Sequence, residues 1–396
     1  MSGIRISRMR KPVLLAAVVA AAALASLHAQ QPRPQQPQPD DVEVRPITPP
    51  ARTLPAEAAT AGITRFSFIA YGDTRSKGPT APGDVPEDGR MLQREHGRVV
   101  DAMVRSVRRL SSTAFPVRFV VSSGDAVLYG PNGAMWNVSY VPLVERLTRE
   151  AKLPFFFAPG NHDTTTRPPG DPEREHGLRN TLRAMSRLMP PDGSPRRLAG
   201  YPTFSFGYGN TFFIILDSDI ATDDTQLMWV TGQLDGLNRA RYPHVFAVFH
   251  HPPFDSGQHG GDILEPQSAA IRTLYLPLFH KHHVRMTICG HDHLLDHFVE
   301  RYEDGGHTYR MDHIVSGGGG APTYTYRGEP DLESYLTATA TEHTRIEHLL
   351  KPGPTVDDNP PHFLIVRVDG NRLFLEVVGA GPSRYRPYGR QMVDLN

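Results

Sequence analysis

The stretch TICGHDHLLDH, residues 287–297, begins as an apolar core strand and then presents three histidines and two aspartates. Polar groups this dense are costly to hold at the end of a buried element unless something binds them. On an extended or tightly turned segment, residues at i and i+2 project to the same side, so His291 and His293 face a common point. The stretch therefore predicts a binding site at the end of a buried strand.

The same arrangement, an apolar strand followed at once by polar residues, recurs along the chain from residue 63. A helical apolar pattern, GRVVDAMVRSVRRL (97–110), separates the first two of these strands. Strands that alternate with helices predict an α/β architecture, in which the ligand site lies beyond the carboxyl ends of the strands. The run HFLIVRVDGNRLFLEVVG (362–379) predicts a hairpin that turns at Asp-Gly, and hence a mixed sheet. The earlier strand-end runs are RFSFIAYGD (65–73), VRFVVSSGD (117–125), PFFFAPGNHD (154–163), TFFIILDSD (211–219) and HVFAVFHHPP (244–253).

The first 60 residues read as a leader and a linker. A basic segment ending RMRK, the apolar run PVLLAAVVAAAALASL and small residues at SLHAQ predict a cleaved signal peptide over residues 1–29, with an uncleaved anchor as the alternative. Residues 30–60 are rich in Pro and Gln, which predicts a disordered linker. The folded domain is therefore expected over residues 61–396.

Charge and cysteine content narrow the partners and the compartment. Lys and Arg together number 42, as do Asp and Glu, and the leader holds four of the basic residues and no acid. The remainder is slightly acidic, which gives no electrostatic reason to expect nucleic acid or an anionic membrane as partner. The single cysteine, Cys289, cannot form an intramolecular disulfide and is expected to be a small core residue. An exported protein without disulfides favours a bacterial periplasmic or extracellular location.

Five strand ends carry carboxylate, amide or imidazole groups, which structure alone does not explain. Oxygen and nitrogen donors of this kind suit borderline divalent metals such as zinc, manganese or iron. Two metals about 4 Å apart would need a carboxylate that bridges them. The groups are Asp73, Asp125, the trio Asn161, His162 and Asp163, the pair His250 and His251, and the pair His291 and His293.

The ordered motifs GDTR, GD, GNHD, HHPPF and GHDH resemble those of the calcineurin-like metallophosphoesterases, on the purple acid phosphatase side of that superfamily. The resemblance covers roughly residues 63–320. It implies a mixed β-sandwich flanked by helices, in four αββα layers, and makes residues 61–396 the catalytic domain. It also implies a dinuclear centre of two divalent or trivalent ions, Fe, Zn or Mn, whose identity stays open.

The resemblance implies a role for each motif residue. Asp125 would bridge the two metals, and His162 would protonate the leaving oxygen or donate to the transition state. A metal-bound water would attack the phosphoryl group in line, so that no covalent nucleophile is needed. The other implied ligands are Asp73 and His293 for one metal, and Asn161, His250 and His291 for the other.

These roles predict an exported metal-dependent phosphoesterase that hydrolyses phosphate esters, with a small phosphorylated substrate as its partner. No nucleic-acid partner and no stable membrane insertion after signal cleavage are expected, and the oligomeric state stays open. One alternative is a phosphodiesterase acting on lipid head groups or nucleotides. Another is a secreted, non-catalytic binding module that contains metal. His162 argues against that module, because a binder needs no acid beside the metals.

Two positions depart from the family pattern. Arg75 stands where many members have a histidine, and Leu128 stands where purple acid phosphatases have a tyrosine ligand. Tyr129, one residue later, is either a ligand or a packing residue. Arg75 cannot lose its charge and so cannot ligate a metal. It is either a two-pronged phosphate clamp or the partner of an acid such as Asp84 or Glu87.

Several nearby residues keep two open interpretations. His96 is either a replacement imidazole for the first metal or a helix-surface residue, and His259 either contacts substrate or does not. Asp163 either orients the neighbouring histidine or is a turn residue. The run GGGG at 317–320 either lets the backbone pass close to the site or is a tight turn. His251 is expected to pack beside the ligands.

Overall fold

The runs predicted as strands form strands in the computed structural model, which describes residues 39–75, 94–339, 344–380 and 392–396. The predicted signal peptide and the first part of the predicted linker lie outside these residues. The strands are β1 (Arg65–Tyr71), β2 (Val117–Ser122), β3 (Phe155–Phe157), β4 (Phe204–Tyr208), β5 (Thr211–Ile215), β6 (His244–Val248), β7 (Met286–Cys289), β8 (Leu295–Asp304), β9 (His307–Ser316), β10 (Arg345–Leu350), β11 (His362–Asp369), β12 (Arg372–Gly379) and β13 (Met392–Asp394).

Within the described part of the chain these strands form two mixed sheets. The first has the order β13-β12-β11-β1-β2-β3, in which β1, β2 and β3 are parallel. The second has the order β10-β8-β9-β7-β6-β5-β4, in which β5, β6, β7 and β9 are parallel. The predicted C-terminal hairpin joins β11 to β12 through Gly370 and Asn371, and β11 pairs antiparallel with β1. The polar motifs therefore follow the parallel strands of both sheets.

Alternate residues of the strands face two different cores. Phe68, Phe119 and Phe213 meet between the sheets, where the rings of Phe68 and Phe213 lie 5.0 Å apart, edge to face. Their neighbours point outward, so that Ile69 packs under helices on one side and Ile214 under helices on the other. The predicted αββα arrangement of four layers is confirmed.

Helices cover the outer face of each sheet. The predicted helix after β1 is confirmed, and its apolar residues Val99, Val100 and Met103 are buried against the first sheet. Across the described ranges, no helix has both the length and the apolar character needed to cross a lipid bilayer. The helices, which include short 3₁₀ and π segments, are Glu57–Thr60, Arg94–Leu110, Gly133–Met135, Trp136–Tyr140, Val141–Glu145, Arg146–Glu150, Asn161–Thr164, Pro172–Met185, Ser218–Ile220, Asp224–Asp235, Pro266–Ala270, Ile271–Tyr275, Leu276–Lys281, Leu332–Ala338 and Val356–Asp358.

The prediction of a disordered linker is wrong for residues 39–60, which pack on the domain. The side chains of Val44 and Ile47 are buried, and the Ile47 N–H donates to the Ala184 carbonyl over 2.9 Å. Pro-rich composition disfavours regular structure, but an extended segment can still bury spaced apolar side chains against helices that are already in place. The folded domain therefore includes residues before 61.

Candidate metal centre

The carboxyl ends of the parallel strands of both sheets meet at one edge of the sandwich, and the six predicted ligands come together there. Oxygens of Asp73, after β1, and Asp125, after β2, lie within 4.8 Å of each other and of a nitrogen of His250, after β6. On the Asp73 side of this cluster, Nε2 of His293 lies 3.6 Å from Asp73 Oδ1. These residues come from both sheets, so the cluster spans the junction between them.

The remaining two predicted ligands lie on the His250 side of the cluster. Nδ1 of His291 is 3.1 Å from Oδ1 of Asn161 and 3.2 Å from Nε2 of His250. Oδ1 of Asn161 is in turn 2.9 Å from Nε2 of His250. An amide oxygen and two imidazole nitrogens thus converge on one point beside Asp125.

Each of the three ligand histidines has the ring nitrogen that faces away from the cluster held by a protein oxygen. Such a hydrogen bond fixes the tautomer and leaves the lone pair of the other nitrogen directed inward. The pairs are His250 Nδ1 with the Ser123 carbonyl at 2.8 Å, His293 Nδ1 with the Pro322 carbonyl at 2.7 Å, and His291 Nε2 with the Glu265 carboxylate at 2.7 Å.

The inward donor atoms fit a pair of metal ions. Nε2 of His293 is buried and has no hydrogen-bond partner among the described residues, a deficit that a cation would satisfy. Three imidazole nitrogens, two carboxylates and one amide oxygen form a mixed donor set, which suits zinc, iron or manganese. The residues present therefore fit the metals that the motifs predict.

Three of the ligand residues hold left-handed backbone conformations, with φ of 60° at Asp73, 56° at Asp125 and 74° at His291. Such conformations cost of order 1–3 kcal/mol each and persist where the surrounding structure imposes them, often at functional sites. The glycines of two motifs are also required, because a Cβ at Gly160 would collide with the Asp125 carboxylate and one at Gly290 with that of Asp73. Backbone and carboxylates are packed directly together here.

His162 lies at the accessible side of the cluster, with its side chain 27% exposed. Its Nδ1 is held 2.6 Å from the Leu128 carbonyl, and its Nε2 lies 3.9 Å from Oδ2 of Asp125. Its backbone N–H donates to Oδ1 of Asp125 over 3.1 Å. The ring is thus held beside the cluster and outside it, as a proton donor to substrate would need to be.

Comparison with known proteins agrees with this geometry. The family model for the calcineurin-like phosphoesterases matches residues 100–295, which include every predicted ligand except Asp73. The chain contains a calcineurin-like phosphoesterase domain. No curated protein matches the sequence.

Several solved structures are similar to this chain at low sequence identity. A purple acid phosphatase from yellow lupin (Lupinus luteus) seeds has a TM-score of 0.55 at 15% identity over 88% of this chain and 54% of that one, so the chain spans about half the length of the lupin enzyme. A dimetal phosphatase from Danio rerio has a TM-score of 0.48 at 15% identity, over 84% of this chain and 99% of that one. GAP50, the anchor in the inner membrane complex of Plasmodium, has a TM-score of 0.48 at 15% identity, over 84% and 89%.

The electrostatics of the phosphoesterase site depend on its two buried carboxylates. Burial and the nearby Asp125 raise the pKa of Asp73 well above its usual range. Burial acts on Asp125 too, but two neighbouring imidazoles and the Arg75 guanidinium outweigh it and lower the pKa of Asp125. A cation placed between the two carboxylates would favour the charged form of both.

Asp163 acts on the backbone of the phosphoesterase site. Its buried carboxylate accepts N–H groups from Asp125 over 2.8 Å, from Ala126 over 2.9 Å and from Gly160 over 2.8 Å. It therefore ties the loop after β2 to the loop after β3. Of the two open interpretations of Asp163, the one in which it orients His162 does not hold, because a backbone carbonyl holds that ring. The three bonds to its carboxylate also make it more than a turn residue.

Arg75 reaches into the phosphoesterase cluster. Its Nε donates to Oδ2 of Asp125 over 3.2 Å, and its side chain is only 14% exposed. Its NH2 group donates to the Tyr324 hydroxyl over 3.4 Å. Asp84 and Glu87, the alternative partners, lie outside the described residues. The guanidinium thus lies beside the Asp125 carboxylate, and the phosphate-clamp hypothesis stays a prediction.

Tyr129 and His96 contact residues away from the cluster. The Tyr129 hydroxyl donates to Glu173 over 3.1 Å, in line with a packing role. The helix-surface interpretation of His96 is wrong, because the ring is buried with Nε2 3.2 Å from the Tyr71 hydroxyl. Burial lowers the pKa of His96 to about 3, so that the ring is neutral.

One open interpretation is decided by the structure, and two expectations are confirmed. A Cβ at Gly319 would collide with the Gly72 carbonyl, so the GGGG run passes close to the site. Cys289 is buried at the end of β7. His251 packs beside the cluster, with Nδ1 2.9 Å from the Ser218 hydroxyl. Donor atoms of His251, Glu265 and His291 also lie within 4.8 Å of one another. In this second group, Glu265 and His291 are already joined by a hydrogen bond.

Two residues at the cluster were not predicted from the sequence. Glu265 lies between two histidines, with one oxygen 2.7 Å from Nε2 of His291 and the other 2.9 Å from Nδ1 of His259. His259 therefore lies beside the cluster, as a contact with substrate would require. Tyr324 stacks on His293, with ring centroids 4.1 Å apart. No motif marks Glu265 or Tyr324, since both lie in loops whose course depends on the fold.

Proposed function

We propose that this protein is an exported phosphatase that hydrolyses phosphate monoesters at a dinuclear metal centre. The observation that carries the proposal is the orientation of the three ligand histidines, each with one ring nitrogen held by a protein oxygen and the other directed at the cluster. Asp125 would bridge the two ions, a role supported by the position of its Oδ1, 3.3 Å from Nε2 of His250. We assign one metal to Asp73, Asp125 and His293, and the other to Asp125, Asn161, His250 and His291.

The residues around the metals supply distinct functions. Two bound ions would supply the positive charge that neutralises a phosphoryl group and would lower the pKa of an attacking water. His162 would give the leaving oxygen a proton from Nε2 in its imidazolium form, because the Leu128 carbonyl keeps the other hydrogen on Nδ1. Arg75 would bind a non-bridging oxygen of the phosphoryl group. A non-catalytic module has no use for a proton donor in this position.

We propose monoesters rather than diesters as the substrates because Arg75 adds a third cationic group beside the two metals. A terminal phosphoryl group has three non-bridging oxygens, enough to face two ions and a guanidinium at once. A diester has only two such oxygens, so that one of these cationic groups would lack a partner.

Metal analysis coupled to an ester assay tests the proposal. Purified protein should contain about two ions per chain and turn over p-nitrophenyl phosphate faster than its bis-ester. Chelation should abolish the activity and added metal should restore it. Faster turnover of the bis-ester would favour the phosphodiesterase, and full metal content without turnover of either ester would favour the binding module.

Export is part of the proposal and rests on the leader pattern of residues 1–29. We expect the mature protein, recovered from the periplasm or medium of a bacterial host, to begin after about residue 25. N-terminal sequencing would show this directly. Recovery of chains that retain Met1 in the membrane fraction would contradict cleavage.

A further inference from the structure

Tyr324 approaches the cluster from the loop after β9, a direction that none of the motifs covers. Its ring lies nearly parallel to that of His293, at an interplanar angle of 14°. Its backbone N–H donates to the His293 carbonyl over 2.9 Å. Its hydroxyl oxygen accepts a hydrogen bond from NH2 of Arg75 over 3.4 Å. Both ends of the residue are thus tied to groups of the site.

The loop that carries Tyr324 is hydrogen-bonded to the segments that hold Asp73 and His293. Ala321 N–H donates to the Asp73 carbonyl over 2.8 Å, and Gly319 N–H donates to the Gly72 carbonyl over the same distance. The Pro322 carbonyl holds Nδ1 of His293 at 2.7 Å. The position of the tyrosine therefore follows from the same backbone that places Asp73 and His293.

The hydrogen bond from Arg75 determines what the hydroxyl of Tyr324 can do. Arginine has only donors, so the phenolic oxygen acts as the acceptor in this pair. The hydroxyl hydrogen is then available to donate to a third group. Arg75 also donates to Asp125 over 3.2 Å, so the pair lies directly beside the bridging carboxylate. Two adjacent donors, one charged and one neutral, therefore lie together beside the cluster.

We propose that Tyr324 is a substrate-binding residue, which together with Arg75 holds the non-bridging oxygens of the phosphoryl group. The proposal rests on the proposed function, because it assumes a phosphoryl group at the cluster. The ligand class is a tetrahedral phosphate, either as the terminal group of a monoester or as the inorganic product. Charge-assisted donation from Arg75 and neutral donation from Tyr324 would both strengthen as negative charge accumulates on these oxygens.

Phosphate binding by Tyr324→Phe tests the proposal without relying on turnover. Phenylalanine keeps the stacking on His293 and removes only the hydroxyl, so we expect unchanged metal content and an unchanged thermal unfolding midpoint. Titration of inorganic phosphate into metal-loaded protein should show affinity weakened about tenfold or more, the value of a hydrogen bond to a charged group. Tyr326→Phe is the matched control, because that hydroxyl donates to the exposed Glu329 over 2.8 Å. Its phosphate affinity should equal that of the parent.

A double-variant cycle with Arg75→Ala tests the coupling. If the guanidinium orients the hydroxyl, the combined loss in phosphate affinity should be smaller than the product of the two single losses. Phosphate affinity that stays at the parent value in Tyr324→Phe would overturn the proposal, as would loss of a metal ion, which would make the tyrosine a ligand instead. Both outcomes differ from failure of the proposed function, which would appear as a parent protein that binds metal and turns over no monoester.

Discussion

Asp125 is the residue on which both halves of the cluster converge, with contacts to His250, Arg75 and the backbone of His162. We expect Asp125→Ala to remove metal from both sites, since each loses a charged ligand at once. His162→Ala should keep both ions and lose turnover by about 10²–10⁴-fold, the value of general acid catalysis. Metal analysis of the two variants separates ligand from acid. Equal metal loss in the His162 variant would show that this division is wrong.

Arg75 is the residue at which the chain departs furthest from its family pattern. If it holds phosphate, Arg75→Ala should leave metal content unchanged and weaken phosphate binding about ten- to a hundredfold, because a contact to a charged group is worth roughly 1.5–3 kcal/mol. Arg75→Lys should recover only part of the loss, since a point charge cannot make a two-pronged contact. Inhibition constants for phosphate measure this effect. If phosphate inhibits Arg75→Ala with the same constant as the parent, the role of Arg75 would be its ion pair with Asp125.

The site residues that sequence could predict are those that follow a strand directly. The end of a parallel strand fixes where the next residue points, so Asp73, Asp125 and His250 were predictable as a group. Glu265 and Tyr324 were not, because each lies in a loop several residues from a strand and meets a histidine only through the path of that loop. Neither composition nor motif spacing predicts the path of such a loop.

At the scale of elements, Asp163 joins the loops after β2 and β3. In Asp163→Ala three buried N–H groups would lose their acceptor, and at about 1–3 kcal/mol for each we expect the free energy of unfolding to fall by at least about 3 kcal/mol. Metal affinity should fall as well, since Asp125 and Asn161 lie on these loops. Urea unfolding and metal titration measure the two effects.

The control for this variant is Asp171→Ala. Asp171 caps the helix Pro172–Met185 and accepts from one backbone N–H, that of Glu173, over 2.9 Å. Removal of such a cap should cost about 1 kcal/mol and leave metal affinity unchanged. If Asp163→Ala were no more damaging than Asp171→Ala, the buried carboxylate would not be the tie between the loops.

A second junction of elements lies behind the second sheet, where Glu300 of β8 is fully buried. Its carboxylate lies 3.1 Å from Nε2 of His280 and 2.9 Å from Nε2 of His313, and accepts the Tyr335 hydroxyl over 2.8 Å. Burial would raise the pKa of Glu300, but the two imidazoles outweigh it and lower that pKa to about 2. The carboxylate thus links β8 and β9 to the helices Leu276–Lys281 and Leu332–Ala338.

The lowered pKa of Glu300 makes the free energy of unfolding depend on pH. A folded pKa of about 2, against 4.5 for the free group, means stability that is fully present above pH 4.5 and lost as pH falls toward 2. Glu300→Gln should therefore lower the free energy of unfolding by about 3 kcal/mol at pH 7, with the gap to the parent narrowing below pH 4.5. Denaturant titrations between pH 7 and pH 3 measure it. Glu303→Gln, on the exposed end of β8, is the control and should show no such trend. A stability difference between Glu300→Gln and the parent that stays constant with pH would contradict the role given to Glu300.

At the scale of the whole molecule, the alternation of strands and helices predicted an α/β architecture, and the resemblance to the metallophosphoesterases implied the four layers. The prediction of disorder from composition was wrong for residues 39–60. Pro-rich sequence disfavours helix and sheet, yet it does not exclude an extended segment that lies on a helical surface. Arg45 and Thr48 both donate to Glu145, over 2.6 and 3.0 Å, and anchor this segment to the helix Val141–Glu145.

The N-terminal segment should therefore contribute to the stability of the whole domain. Ile47 is fully buried in the core outside the first sheet, so Ile47→Ala should lower the free energy of unfolding by about 2–5 kcal/mol through lost burial and the cavity left behind. Val42→Ala, at a residue that is 45% exposed on the same segment, should change it by less than about 0.5 kcal/mol. Thermal and urea unfolding of both variants give the comparison. Equal stability of the two variants would mean that residues 39–60 unfold apart from the domain, and would restore the linker interpretation.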